Sequence, residues 1–267
     1  MIETIRTALR RNEAIHSHWE HLKRSRALHP LLLRRATRKV QRSPEDIMLS
    51  REAADTVLAT VHAALSNDSL SGHWHLYGGA LLGWARQGRM LDHDLNDIDV
   101  AIDEAVLPEL LEAIDSLCLS GFSVDRVFVS NDSTVREIAL AYNNVRVDLF
   151  VFRDVHGFWD NRGFGDRHGR QSELVSMIPR QPLEPITLSG RPWPKVVDHD
   201  VELEAIYGDW RTPDPTWKFG NDRTVVRTEE WTMHDVPVSV GLLALRAQVA
   251  DMRADRPLAT VELRVRQ

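Results

Sequence analysis

Apolar and polar residues follow one another in patterns that predict helices and strands in mixed order. After residue 43, apolar residues recur at helical spacing, at Ile47, Val57, Leu58, Val61 and Leu65. Ser43 is suited to the N-cap of this helix and Pro44 to its first turn. The pattern therefore predicts a long helix that begins at residue 44.

Shorter apolar stretches downstream predict a sheet. HWHLY at 73–77 is typical of a short strand, ALLGWARQ at 80–87 of a helix and IDVAI at 98–102 of a second strand. A helix is expected from about Pro108 to Leu119, ended by Gly121. FSVDRVFVS, TVREIALAY and VRVDLFVF then predict three further strands, the first two paired. The fold class is α+β, a mixed sheet flanked by helices.

Residues 154–171 are rich in Gly, Asp, His and Arg, which predicts a long functional loop. A short helix capped by Asp198 or Asp200 is expected before Gly208. The pattern from Thr224 onward is too weak for assignment. We predict a helical arm over 1–43, a catalytic domain over 44–223 and a C-terminal extension over 224–267.

Charge is unevenly distributed along the 267 residues. The net charge is −6, yet residues 1–43 carry eleven basic and three acidic side chains, a net of +8. This basic arm could contact an anionic surface, either a membrane, peripherally, or a glycan. The alternative is a structural role, as a solvated pair of helices or as an arm packed on a sister subunit. The acidic body argues against a nucleic-acid partner. With one cysteine and neither a leader nor a long apolar run, we expect a cytoplasmic protein, peripheral to the inner face of the membrane if the arm docks there.

Two aspartates directly precede the apolar run of the second strand. Asp97 and Asp99 point to one face of a strand, while Ile98 and Val100 point into the core. Adjacent carboxylates repel one another unless a cation lies between them, and Mg²⁺ prefers carboxylates and phosphate oxygens. This pair predicts metal-assisted chemistry on a phosphate.

Asp148 lies inside the apolar strand VRVDLFVF, where an unpaired carboxylate is costly. It is a candidate third metal ligand, and the alternative is pairing with an arginine such as Arg146 or Arg136. Gly78 and Gly79 open a helix whose backbone amides could meet phosphate. Phosphoryl or nucleotidyl transfer requires few protein groups: two carboxylates on one strand, a third on a later strand and a Gly-rich turn.

This order of motifs resembles the nucleotidyltransferase superfamily with its polymerase-β-like palm. Within it, the chain is similar to the LicD/fukutin family of phosphotransferases. The resemblance is carried by GGALLGWARQG, NDIDVAI, VDLFVF and YGDWRTP, between about residues 76 and 215. The resemblance implies a palm-like fold. It also implies an enzyme that transfers a phosphorylated alcohol from a CDP-linked donor to a sugar hydroxyl of a cell-surface glycan.

The resemblance also implies roles for individual residues. Asp97, Asp99 and Asp148 would be the catalytic metal ligands for Mg²⁺ or Mn²⁺, with Asp148 alternatively taking the acceptor proton. Gly78, Gly79 and Arg86 would hold phosphate oxygens, and a salt bridge is the alternative for Arg86. Trp159 is a candidate for stacking on a sugar or base.

MLDHDLNDID is longer than the family's usual approach to the aspartates, so Asp92 and Asp94 offer a competing pair. We favour Asp97 and Asp99, because the apolar strand begins directly after them, with His93 or Asp94 supporting a ligand. Two other functions remain: a nucleotidyltransferase acting on a small hydroxylated molecule such as an antibiotic, and a non-catalytic scaffold for glycan assembly.

Overall fold

The structure is a computed structural model that describes residues 43–167, 170–214, 217 and 225–254. The predicted helical arm lies outside these residues, apart from Ser43. The helices are α1 (Pro44–Leu65), α2 (Gly78–Gln87), α3 (Leu107–Leu119), α4 (His199–Tyr207) and α5 (Val238–Arg253). The strands are β1 (Trp74–Leu76), β2 (Asp97–Asp103), β3 (Ser123–Val129), β4 (Val135–Tyr142), β5 (Val145–Val155), β6 (Phe158–Arg167), β7 (Arg170–Pro179), β8 (Leu183–Leu188), β9 (Arg191–Val196) and β10 (Val225–Glu230).

Helix α1 begins where its capping residues predict. The Ser43 side chain accepts a hydrogen bond of 3.0 Å from the Asp46 amide, and the Asp46 carboxylate accepts one from the Ser43 amide. This capping box satisfies two amides that the first helical turn leaves without partners.

Eight strands form one mixed sheet, in the order β1-β2-β5-β6-β7-β10, with β4 pairing a further length of β5 and β3 pairing β4. Strands β2 and β5 are parallel, and the other neighbours in this sheet are antiparallel. Together with the helices that pack on it, this sheet confirms the predicted α+β class. Strands β8 and β9 form a separate hairpin.

The main core lies on one face of the central strands. Buried residues of β2 and β5, such as Val100 and Leu149, belong to one apolar cluster with Val57 and Leu58 of α1 and Ile114 of α3. Because side chains alternate along a strand, the aspartates of β2 and β5 face away from this core. A second cluster covers part of the opposite face, formed by Tyr77, Ala101, Phe152, Trp159, Ile178 and Ile206.

The prediction of a long loop over 154–171 is wrong. The described residues of this range form the end of β5, a tight turn at His156 and Gly157, strand β6 and the start of β7. The polar composition suggested a loop, but the charged side chains of this segment are paired within the protein. Arg162 forms two hydrogen bonds to Asp160 and one to Glu173. Glu173 also accepts a hydrogen bond of 2.6 Å from Ser130, which joins β7 to the turn between β3 and β4.

Residues 225–254 belong to the predicted C-terminal extension, where the pattern was too weak for the assignment of elements, and they join the same sheet and core. Strand β10 pairs with β7, and Ala244, Leu245 and Val249 of α5 are buried. The Gln248 side chain accepts a hydrogen bond of 2.8 Å from the Val135 amide and donates one of 2.8 Å to Glu104. None of the helices in the described part of the chain is long and apolar enough to cross a membrane.

Candidate active site

The parallel pairing of β2 and β5 brings three carboxylates together. Asp99 lies directly opposite Asp148, and Asp97 opposite Arg146. Paired residues on neighbouring strands project to the same face. Each of Asp97, Asp99 and Asp148 offers an oxygen within 4.8 Å of the others. Carboxylate oxygens at this spacing fit a hard divalent cation.

The glycine pair at the start of α2 positions Asp99. The Gly79 amide donates a hydrogen bond of 2.6 Å to the Asp99 carboxylate. Gly78 has a φ of +50°, and a Cβ atom there would lie 2.6 Å from Asp99 Oδ2. Only glycine fits this position, because any side chain would collide with the carboxylate and strain the backbone. Phosphate binding by Gly78 and Gly79 stays a prediction.

Arg146 lies between two of the aspartates. Its Nη2 donates to Asp97 Oδ1 at 2.9 Å, and its Nε lies 3.0 Å from Asp148 Oδ1. The alternative partner considered for Asp148 is therefore present, while Arg136 instead contacts Asp160 at 3.3 Å. Arg146 therefore pairs with Asp97 and Asp148, and the charge of Arg126 also acts on Asp148.

Burial, together with the neighbouring charges, alters the proton affinity of the carboxylates. Burial, followed by the charges of Asp97 and Asp148, raises the pKa of Asp99 well above its ordinary range. Burial raises the pKa of Asp148 to about 6, although Arg146 acts in the opposite direction. The pKa of Arg146 is itself raised by Asp148 and Asp97, despite the opposing effect of burial. A cation added to this cluster would favour the ionised carboxylates.

Glu137 is a fourth acidic residue near the cluster that sequence reasoning missed. It is buried on β4, two residues from Ala139, the cross-strand partner of Asp148. Burial and the charges of Asp148 and Asp99 raise the pKa of Glu137 well above its ordinary range. The sequence signal was available, because Glu137 interrupts an apolar strand as Asp148 does.

The competing aspartate pair divides between two environments. Asp92 is held at the surface by Arg51 at 2.5 Å and Arg89 at 2.6 Å. Asp94 lies beside the glycine pair, since a Cβ atom on Gly79 would be 2.9 Å from its Oδ2. His93 Nε2 is 3.8 Å from the same oxygen. The structure thus groups Asp97 rather than Asp92 with Asp99, and the supporting roles of His93 and Asp94 stay predictions.

Arg86 contacts the YGDWRTP segment. Its Nε donates to the Trp210 carbonyl at 2.6 Å, and its Nη2 donates to the Trp210 and Thr212 carbonyls. These bonds fasten the segment to α2, and they would have to break before Arg86 could bind phosphate. The salt bridge considered as its alternative is replaced by bonds to backbone carbonyls.

Trp159 lies on β6 and not in a loop. It is buried, its ring centroid is 6.1 Å from that of Phe152, and the Arg180 guanidinium lies 4.6 Å from its ring centroid. It lines a cavity at the opposite end of β2 from the three aspartates. Sugar or base stacking by Trp159 stays a prediction.

Comparison with known families identifies the region that contains this cluster. Residues 72–194 match the family model described as LicD/FKTN/FKRP, nucleotidyltransferase domain. The chain carries a LicD family domain. The match includes Asp97, Asp99 and Asp148 with the glycine pair, and ends before YGDWRTP. No curated protein matched the sequence. The match to this family model supports a transferase role in glycan modification.

Proposed function

We propose that this LicD family protein is a metal-dependent phosphotransferase. It would move a phosphorylated alcohol, such as phosphocholine, ribitol phosphate or glycerol phosphate, from a CDP-linked donor to a sugar hydroxyl of a cell-surface glycan. The convergence of Asp97, Asp99 and Asp148 inside the LicD domain is the observation that supports this proposal most strongly.

The donor set fits Mg²⁺ or Mn²⁺. The ligand oxygens of Asp97, Asp99 and Asp148 lie within 4.8 Å of one another, and one arginine only partly balances their charge. When bound, the metal would neutralise charge on the donor diphosphate and on the transferring phosphoryl group.

The protein's own residues have distinct tasks in this proposal. Asp97 and Asp99 would hold the metal, and the Gly79 amide keeps one Asp99 oxygen in a fixed orientation. Asp148, which lies opposite Asp99 on the neighbouring strand, would either complete the metal shell or accept the proton of the acceptor hydroxyl.

Product identification tests the proposal. The purified protein is incubated with Mg²⁺, CTP, a set of CDP-alcohols and candidate glycan acceptors, and the leaving group is identified by chromatography. Release of CMP together with phosphorylation of the acceptor supports the phosphotransferase. Release of pyrophosphate from CTP supports a nucleotidyltransferase, and the absence of both products while metal binds supports a non-catalytic scaffold.

A further inference from the structure

A cavity of about 510 Å³ lies away from the three aspartates, at the far end of β2. Asp99 and Asp103 share one face of this strand and are four residues apart, which places the cavity about 13 Å from the aspartate cluster. Its volume lies within the range of small-molecule binding sites. Its polar and aromatic lining includes His73, His75, Asp103, Phe152, Trp159 and Arg180.

Carboxylates orient both imidazole rings of this cavity. His73 Nδ1 lies 3.2 Å from Asp103 Oδ2, and Asp103 is itself buried. His75 Nε2 lies 3.4 Å from Glu202 Oε2, and both residues are buried. In each pair one ring nitrogen faces the carboxylate and directs the other away from it. The cavity wall therefore holds imidazoles in fixed orientations, as hydroxyl recognition requires.

The arginine of the cavity is paired with carboxylates. Arg180 lies 3.4 Å from Asp103, pairs with Asp154 and covers the Trp159 ring. Its positive charge is therefore engaged by two carboxylates, which disfavours an anionic ligand such as a nucleoside diphosphate. Within the described residues, the group with metal-ligand spacing is Asp97, Asp99 and Asp148, so these histidines do not form a metal site of that kind.

We propose that this cavity binds an uncharged sugar unit of the acceptor glycan, remote from the hydroxyl that reacts. A sugar ring presents apolar C–H groups and a rim of hydroxyls, which match the apolar lining residues Pro182 and Leu183 and the oriented imidazoles. The separation from the aspartates exceeds one sugar ring and suits a short oligosaccharide. That the bound sugar belongs to the acceptor rests on the proposed function. That the cavity binds a neutral sugar does not depend on it.

Saturation-transfer NMR with methyl glycosides of glucose, galactose, N-acetylglucosamine and rhamnose tests this site on the full chain. We expect at least one glycoside to bind, and we expect His73→Ala to weaken it about fivefold or more through loss of a hydrogen bond. His234→Ala is the matched control, because the exposures of the two side chains are similar, 36% and 38%, and each ring contacts an aspartate. Leu183→Trp, which adds bulk to the cavity wall, should abolish binding.

Three results would overturn the site: no binding of any neutral glycoside, binding unaffected by both His73→Ala and Leu183→Trp, or stronger binding of glucose 1-phosphate than of the neutral glycosides at this cavity. Circular dichroism of each variant verifies folding. Asp99→Asn should retain glycoside binding, because Asp99 does not line the cavity. Glycoside binding without transfer from CDP-alcohols would therefore refute the proposed function and leave the cavity assignment intact.

Discussion

Asp99 and Asp148 are direct cross-strand partners on two parallel strands, and both carboxylates project from the same face of the sheet. The two groups come from positions 49 residues apart, on strands separated by a helix and a hairpin. The pairing creates a concentration of negative charge that is unfavourable without a cation. The proposed metal site follows from this relationship.

Replacing Asp99 with Asn should remove metal binding while preserving the fold. Loss of a residue that merely supports a ligand already costs about 10–100-fold in metal affinity, so loss of the ligand should cost at least about 100-fold. Thermal stability without metal should not fall, because a buried repulsion is relieved. Mn²⁺ titration by electron paramagnetic resonance measures the affinity. Asp68→Asn, in an exposed turn, serves as control, and equal Mn²⁺ binding by Asp99→Asn would refute the ligand assignment.

Replacing Arg146 with Met should tighten metal binding and destabilise the metal-free protein. The guanidinium lies between Asp97 and Asp148 and repels an incoming cation. Its removal should raise Mn²⁺ affinity roughly tenfold, a change that close charges near a protein surface readily produce. The melting temperature without metal should fall, because three carboxylates lose their nearest positive charge.

Calorimetric titration and thermal unfolding measure the two effects of Arg146→Met. Arg227→Met is the control, because it removes a surface arginine of β10 that pairs with Glu229. It should change neither the metal affinity nor the increase in melting temperature that bound metal produces. Weaker Mn²⁺ binding by Arg146→Met would show that the arginine supports the metal site rather than competing with it.

Gly78→Ala should abolish metal binding as well as lower the stability of the fold. Both Gly78 and Gly88 have positive φ, so alanine at either position should cost about 1–2 kcal/mol of backbone strain. A Cβ atom at Gly78 meets Asp99 at 2.6 Å, whereas one at Gly88 has nothing within 4 Å. We therefore expect Mn²⁺ binding to be lost in Gly78→Ala and retained in Gly88→Ala. Equal retention in both variants would contradict the positioning role of Gly78.

Stabilisation by Mg²⁺ should increase with pH. The pKa of Asp148 is about 6 in the folded chain against an ordinary value of 3.8, so folding favours its protonated form. This contribution to stability is present below pH 3.8 and is lost as pH rises through about 6. Because Mg²⁺ binds ionised carboxylates, the rise in melting temperature on adding MgCl₂ should be small at pH 5 and large at pH 8. Equal shifts at both values would be inconsistent with a carboxylate site.

The sequence allowed the shared face of the aspartates, the start of α1 and the strands β1 to β5 to be predicted, because their determinants are local. Alternation along β2 sets the shared face of Asp97 and Asp99, and Ser43 caps its own helix. The prediction failed where charge is paired across the sheet. Arg162 lies between Asp160 and Glu173, so a segment that is polar in composition forms buried strands.

Other features of the site depend on contacts between distant residues, which no local pattern specifies. Asp92, one of the competing aspartates, pairs at the surface with Arg51, which lies 41 residues before it in the chain. The bonds from Arg86 to the Trp210 carbonyl likewise join segments more than 100 residues apart.

Metal-dependent release of CMP from CDP-alcohols, measured side by side for the native protein and Asp99→Asn, tests the proposed chemistry most directly. We predict that the native protein releases CMP and phosphorylates the acceptor with Mg²⁺, that EDTA stops both, and that Asp99→Asn does neither. CMP release by Asp99→Asn at the native rate, or release that persists in EDTA, would contradict the proposal.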